Sequence, residues 1–481
     1  MNDGSASIAH ALRARPAPTQ AASRTRLLLE ASIVSTLLRL AASNVVVNVV
    51  LIAVTATVDA HFVGRLGRDA LAGLSLVFPL IMLMQQMANS SMGGAIASAV
   101  ARAIGAGRHV DASALVVHGV VIAAGMALIF AAVLLIGGPA IYRSMGGAGG
   151  MHAAALEYSN AIFAGALACW VLGTLTSVVR GVGQAIVLAV VYLAAEALHI
   201  LLVPALVFGI GPLPPLGITG AGIATVASFT ASSAALVWYI ASGRTAVRLS
   251  LCGVRFERRL FVEILRVGAP MSLQPILNNL ALATLTSFVG TLGAAQLAGF
   301  GVAVRLEYLL YPLAFGLGAG VLAMVGTNIG AGKLARAERI AWTAAALAAG
   351  VTGCVGLFGA TLPGAWTSLF TEVPEIHVVA AGYLVITGLA YPFLGLGLTL
   401  ASAFQAAGRP LCPLLAITSR ALVVALGGWT VVHLTGMGLS GLAVVAASGL
   451  IVYGASLAIA FRAGAWQTRE YGKTAAARKP S

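Results

Sequence analysis

The sequence predicts an all-α polytopic membrane protein with twelve transmembrane helices in two parallel six-helix repeats, and three observations carry that prediction. Of its 481 residues 59% are hydrophobic and only 9% charged, against about 25% charged in an ordinary soluble domain. Apolar stretches recur from Leu37 to Phe461, each near the roughly 20 residues a helix needs to cross a bilayer, and together they are too extensive for one core. Glycine-bearing motifs from the first half return in order in the second. The 57 glycines show no G-X-Y period, which excludes a collagen, and with Ala and Ser they supply the small residues that let membrane helices approach closely.

Cutting the apolar stretches at polar or Gly/Pro-rich breaks places the spans at about 37–62, 70–100, 112–136, 154–179, 186–209 and 217–241, then 267–289, 297–326, 338–361, 378–404, 412–434 and 440–461. Breaks such as Gly105-Ala106-Gly107-Arg108, Gly146-Gly147-Ala148-Gly149-Gly150, Gly211-Pro212-Leu213-Pro214-Pro215 and Gly330-Ala331-Gly332-Lys333 oppose helix continuation. With a cytoplasmic N-terminus and alternating sides, 23 of the 28 Lys and Arg residues collect on one side, among them Arg102, Arg108, Arg180, Arg244 to Arg266 and Lys333 to Arg339. Arg65, Arg68 and Arg143 lie opposite, and Arg305 and Arg420 fall within spans. The positive-inside rule then puts both termini in the cytoplasm. The net charge of +14 is thereby a topology signal, and no nucleic-acid partner is expected.

The division expected is a cytoplasmic N-terminal tail (1–33), an N-lobe of spans one to six (34–242), a linker (243–266), a C-lobe of spans seven to twelve (267–462) and a basic cytoplasmic tail (463–481). The first 33 residues lack the apolar core and cleavage site of a signal peptide. In the linker Phe256, Leu260 and Ile264 stand at helical spacing among Arg255, Arg258, Arg259 and Glu263, the pattern of an interfacial amphipathic helix.

The repeat is legible residue by residue. Phe62-Val63-Gly64-Arg65-Leu66-Gly67 returns as Phe288-Val289-Gly290-Thr291-Leu292-Gly293 at an offset of 226, and Ile104-Gly105-Ala106-Gly107 as Ile329-Gly330-Ala331-Gly332 at 225. Arg180-Gly181-Val182-Gly183 aligns with Gln405-Ala406-Ala407-Gly408 at 225, and Thr219-Gly220 with Ser440-Gly441 at 221. Six spans per repeat is an even number, so both halves enter from the same side. Parallel repeats place their interface near the bilayer midplane, where secondary transporters bind substrate and rock one half against the other.

These residues resemble the multidrug and toxic compound extrusion (MATE) transporters, nearer the DinF-like branch. The resemblance rests on Val58-Asp59-Ala60-His61-Phe62-Val63-Gly64-Arg65-Leu66-Gly67, on the Gly-Ala-Gly turns after spans two and eight, on Leu216-Gly217-Ile218-Thr219-Gly220-Ala221-Gly222, and on Val325-Gly326-Thr327-Asn328-Ile329-Gly330. It covers about residues 35–462. It implies two six-helix lobes forming a V-shaped cavity and ion-coupled export of amphipathic, often cationic small molecules by a monomer in the lipid bilayer of a bacterial-type inner membrane. Three positions depart from the family pattern. The first span reads Ala41-Ala42-Ser43-Asn44 where relatives commonly carry a bend-permitting proline; His199 and Val203 replace the branch's Asn and Asp of span five; and spans seven and ten offer no mid-membrane acid.

A charge inside a span costs about 2.5–3.5 kcal/mol or more and is a functional hypothesis by default. Asp59, Glu196, Arg305, Glu307 and Arg420 lie within spans, with His199 beside Glu196. Asp59 either reaches water at the outer end of span one or forms the protonatable coupling site, and its flanking motif favours the second. Glu196 and His199, three apart, share one helix face and either share a proton or pin two helices. The coupling ion expected is H+, with Na+ the alternative; no metal and no cofactor are expected. Arg305 and Glu307 face different ways; either Glu307 pairs across the C-lobe with Arg420 or Arg305 neutralises a different group, a structural ion pair being the favoured reading. Candidates for the substrate cavity are Gln85, Asn89, Gln274, Asn278, Arg305, Glu307 and Tyr308, each pair of amides four apart, with interhelical hydrogen bonding the competing account. Tyr308, Tyr311, Tyr391 and Phe393 form aromatic walls or simply pack. Pro79, Pro312 and Pro392 mark kinks or hinges.

The rival function is a lipid-linked sugar flippase, which calls for more cavity cations. A membrane-embedded enzyme lacks support because the chain contains no DxxD, HExxH or GxSxG motif, and no filter-like repeat suggests a channel. The four cysteines, Cys169, Cys252, Cys354 and Cys412, are too dispersed for a zinc site or disulfide scaffold. The topology is tested by a cysteine at Ser250 in the linker: it is expected to resist impermeant maleimide applied to intact cells, and labelling from outside reverses the orientation.

Overall fold

The computed structural model describes residues 20–210, 214–247 and 256–467, and no strand occurs among them. Spans one to six are Ile33–Gly64, Arg68–Gly105, His109–Ser144, the bent pair Gly149–Ala164 and Ala166–Gly181, Ala185–Phe208 and Gly217–Ala241. Spans seven to twelve are Arg258–Gly290, Ala294–Gly330, Leu334–Thr361, the bent pair Pro374–Gly388 and Tyr391–Ala406, Leu411–Thr435 and Gly438–Arg462. Among the described residues nine helices are long and apolar enough to cross a membrane, and the bent pairs bring the number to 11. Span one, with 32 residues, is the twelfth; at about 1.5 Å per residue it is roughly 48 Å long.

The duplication seen in the sequence is a duplication of backbone geometry. Turns that need a positive φ, open to glycine but rarely to L side chains, recur at repeat-equivalent positions: Gly67 and Gly293 (121° and 122°), Gly107 and Gly332 (74° each), Gly183 and Gly408 (75° and 74°), Gly217 and Gly438 (58° and 60°). The fourth span of each repeat is broken at the same place, by 50° and 53°. Pro79 and Pro312 lie inside spans two and eight. Pro392, expected at mid-span, instead sits in the first turn after the break in span ten, where its missing N–H forfeits no helical bond.

The linker departs from expectation. In place of an interfacial helix ending at 266, one helix runs unbroken from Arg258 through Gly290, residues 248–255 lying outside the described residues. Of the expected stripe, Leu260 and Ile264 are buried in the N-lobe core together with Val267, where lipid was expected, while Phe256 is 65% exposed. His118 of span three, itself fully buried, accepts the Glu257 backbone N–H at 3.0 Å. The tails are also more structured than their composition suggests. Residues Gln20–Glu30 form a helix whose Leu28 is buried and accepts a bond from Asn328 Nδ2 at 3.0 Å. Beyond span twelve Trp466 stacks on Phe461 at 5.3 Å.

Hydrogen bonds between the two repeats gather toward the end of the bundle that carries the linker. Arg102, 7% exposed, donates to the Ala406 carbonyl at 2.8 Å and to Glu263 at 3.2 Å. A π-helical turn, Met87–Met92, interrupts span two. Repeat-equivalent side chains converge on its carbonyls: Arg180 reaches Asn89 O at 3.4 Å, and Gln405 reaches Ser90 O and Ser91 O at 3.0 Å. Spans two and eight cross nearby with reciprocal contacts. A Cβ on Gly105 would fall on the Thr327 carbonyl, and one on Gly330 would fall on the Arg102 carbonyl. Arg102 and Thr327 are equivalent, as are Gly105 and Gly330, so the contact is isologous about the pseudo-two-fold axis.

Adding a methyl there forces backbone apart at a cost of about 1–3 kcal/mol. Gly330→Ala is therefore expected to lower the thermal midpoint of the purified protein, while Gly125→Ala, where a Cβ meets nothing within 4 Å, leaves it unchanged or slightly raised. Equal midpoints for the two variants contradict the close crossing.

Candidate functional site

The N-lobe places three elements around one carboxyl. Asp59 lies five residues before the end of span one at Gly64, roughly 7–8 Å from the end of the helix farthest from the linker. His199 Nε2 donates to Asp59 Oδ1 at 3.0 Å, and Tyr158 of span four donates from its hydroxyl to Oδ2 at 3.3 Å. One turn away on span five, Glu196 Oε1 accepts the Thr55 hydroxyl at 2.9 Å, while Glu196 Oε2 is buried without a partner. Asp59, Tyr158, Glu196 and His199 are 5%, 3%, 8% and 2% exposed, so water does not screen these charges.

Asp59, Glu196 and His199 thus come together as expected, with one correction. His199 bonds to Asp59 and Glu196 to Thr55, so the direct Glu196–His199 pair is replaced by two bonds from span five to span one. A helix presents residues three apart to one neighbour, and span one offers acceptor and donor one turn apart, at Asp59 and Thr55. The arrangement holds two carboxyls, an imidazole and one unmatched acceptor in a dry place. It can bind protons, or present net negative charge when they leave.

The C-lobe carries a second polar cluster. Arg420 of span eleven donates to Asn278 Oδ1 at 3.0 Å and to Glu307 Oε1 at 3.3 Å, and the Tyr311 hydroxyl reaches the same two oxygens at 3.5 and 3.4 Å. Of the two alternatives for these charges, the Glu307–Arg420 pair is the one present. Arg305 is absent from this group: it is exposed, its guanidinium lying 5.0 Å above the Phe370 ring, which removes it from the cavity candidates that belong together. Gln274, one turn from Asn278, has a buried Nε2 without a partner. Tyr308 is 53% exposed. On span two the Asn89 side chain turns back to Gln85 O at 3.1 Å, so this amide serves its own helix, and the contact to span four is made by its backbone carbonyl. Tyr391 is fully buried and packs in the C-lobe core.

The MatE family profile matches residues 45–205 and 270–430, once on each repeat. The chain belongs to the MatE family. This MatE chain is 24% identical over 391 residues to the "FAD transporter" of Shewanella oneidensis, covering 80% of this chain and 85% of that protein. It is 26% identical over 402 residues to the "Probable multidrug resistance protein YoeA" of Bacillus subtilis, covering 82% and 87%. Among solved structures, one described as the outward-facing conformation of a multidrug resistance MATE family transporter of the MOP superfamily shares its fold with a TM-score of 0.83 at 24% identity, over 92% of this chain and 98% of that one.

Sequence reasoning missed Thr55 and Tyr158. Thr55 was within reach, since it precedes Asp59 by four residues and shares its face; Tyr158 reaches Asp59 only through tertiary packing and leaves no local signal. Tyr158→Phe keeps the ring and removes one bond to a charged group, worth about 1.5–3 kcal/mol. It is expected to lower the thermal midpoint and slow export several-fold without abolishing it, read as dye efflux from everted vesicles; a silent variant removes Tyr158 from the site.

Proposed function

We propose that this MatE-family chain exports amphipathic, cationic small molecules from the cytoplasm across the inner membrane in antiport with protons, Asp59, His199 and Glu196 forming the proton-handling group. The single observation that carries the reading is the buried Asp59–His199 bond beside Glu196, whose second oxygen has no partner. A buried unmatched carboxylate oxygen costs at least about 1–3 kcal/mol. A proton on Glu196 relieves that cost, and so does a cation drawn to the site, which makes the two ligands competitors for one place.

Competition of that kind is the requirement for antiport. A proton arriving from outside neutralises the group and releases the cation, and loss of the proton toward the cytoplasm restores the charge that attracts the next one. Protons moving inward release about 2.3 kcal/mol per charge per 100 mV, which drives export. Sodium suits the group less well, because it takes several hard oxygen ligands and one Asp59 oxygen is already held by an imidazole nitrogen. The distribution of Lys and Arg supports the linker end, where the repeats are joined, as the cytoplasmic end.

The flippase reading is weaker: of the two intramembrane arginines, Arg420 is paired with Glu307 and Arg305 is exposed over Phe370. Asp59→Asn fixes the neutral state at nearly constant size. Proton-driven efflux of a cationic dye is expected to fall to background while the protein still inserts; Glu196→Gln should lose part of the rate or move its pH optimum. Asp59→Asn efflux equal to the parent at matched expression would place the coupling group elsewhere.

A further inference from the structure

The C-lobe cluster is not accounted for by proton handling. Its two charges compensate each other, Arg420 and Glu307 being 3.3 Å apart with side chains 13% and 12% exposed. What it leaves unmatched are donors. Arg420 Nε and Gln274 Nε2 are both buried N–H groups without an acceptor, whereas the N-lobe site leaves an acceptor, Glu196 Oε2. A donor removed from water and given no partner forfeits its solvation, and native interiors rarely tolerate two such groups on one cluster.

The two donors belong to facing elements around one spot. Gln274 stands one turn before Asn278 on span seven, so both share a face, and Asn278 Oδ1 is the acceptor of Arg420 Nη1 at 3.0 Å. With Nη1 on Asn278 and Nη2 on Glu307, the buried Nε is the guanidinium nitrogen left without a partner. An arginine edge beside an amide N–H matches the oxygens of a carboxylate or phosphate. Aromatic surface adjoins it. Tyr308, Tyr311 and Phe315 lie three and four residues apart on span eight, with ring centroids 6.4 and 6.3 Å from one another in sequence, and Tyr308 is 53% exposed.

We propose that Arg420 and Gln274 bind the oxyanion of a planar aromatic molecule whose ring lies along Tyr308 and Tyr311, Glu307 holding Arg420 in place until that oxyanion arrives. This goes beyond the export reading of cationic cargo: beside an N-lobe site that takes positive charge or protons, it gives the C-lobe a site for an anionic group. A merely structural Arg420 pins spans seven, eight and eleven and does not distinguish ligands by charge.

The test is equilibrium binding of two flavins, riboflavin and flavin mononucleotide, to the full-length protein in nanodiscs. The pair shares one ring and differs by a phosphate, and stacking on tyrosine quenches flavin fluorescence. The parent is expected to bind the phosphate-bearing flavin at least tenfold more tightly. Glu307→Gln, which frees Arg420, should tighten that binding several-fold and leave riboflavin unchanged. E307Q/R420Q keeps the cluster neutral, so folding is preserved, and should erase the difference between the flavins. Equal or absent binding of the two by the parent overturns the proposal, and so does a difference that survives in E307Q/R420Q. The assay needs no gradient, so its failure is separate from a failure of proton-driven efflux, which is read with a cationic dye in vesicles.

Discussion

The backbone crossing of spans two and eight is the constraint on which the architecture depends. At Gly105 and Gly330 each helix lies on a carbonyl of the other, a distance no side chain permits. Each lobe packs around its own buried side chains, so this crossing is where the two repeats are drawn together. Arg102 reinforces the joint by reaching Ala406 and Glu263, and Gln405 does so by reaching the π-turn of span two. That π-turn is useful because i→i+5 bonding leaves carbonyls that an ordinary helix would use itself, so a side chain from the other repeat can take them. Contacts of this kind are numerous at the joint but individually weak, which suits a closure that must also release.

Much of this was legible in the sequence, and the failures have identifiable causes. Span positions and the repeat were readable because a bilayer imposes a length on every helix and because positive-φ turns leave glycines at fixed offsets. The Glu307–Arg420 pair was readable because so few charges lie within spans that partners are nearly forced. The linker was misread because an apolar stripe such as Phe256, Leu260 and Ile264 has one appearance whether it faces lipid or protein, and hydropathy carries no information on which. Arg305 stood among the cavity candidates because it is a charge within a span, which does not say which way the side chain turns; its counterpart is Phe370, 65 positions on. Tyr158 escaped for the same reason as Phe370: its partner is distant in sequence, and only the packing of span four against span one brings them together.

The two repeats share a backbone but not a chemistry. At the offset that aligns Phe62 with Phe288, Asp59 corresponds to Leu285, which is 5% exposed in the C-lobe core. The acid therefore has no counterpart, and the C-lobe instead builds a compensated Arg–Glu pair from spans eight and eleven. Burial makes both arrangements demanding. A lone charge in either place would be destabilising, so the N-lobe balances Asp59 with His199 and Tyr158 while the C-lobe balances Glu307 with Arg420 and Tyr311.

Asymmetry of this kind is sufficient for a rocking carrier, and symmetry would be a disadvantage. The joint at Gly105 and Gly330 couples two rigid bodies, so a change of charge in one of them shifts the equilibrium of both. If both lobes titrated, each transport cycle would involve two sites with independent proton occupancies, and partly protonated states would be free to open without cargo. In the proposed mechanism the unmatched oxygen of the Asp59 site belongs to Glu196 and the C-lobe pair Arg420–Glu307 is compensated, so the occupancy of the N-lobe site would set the preferred orientation. A coupling free energy of about 1–3 kcal/mol is typical between linked sites, comparable to the cost of the unmatched oxygen at Glu196, so relief of that single group is large enough to bias the motion without any further charge in the bundle.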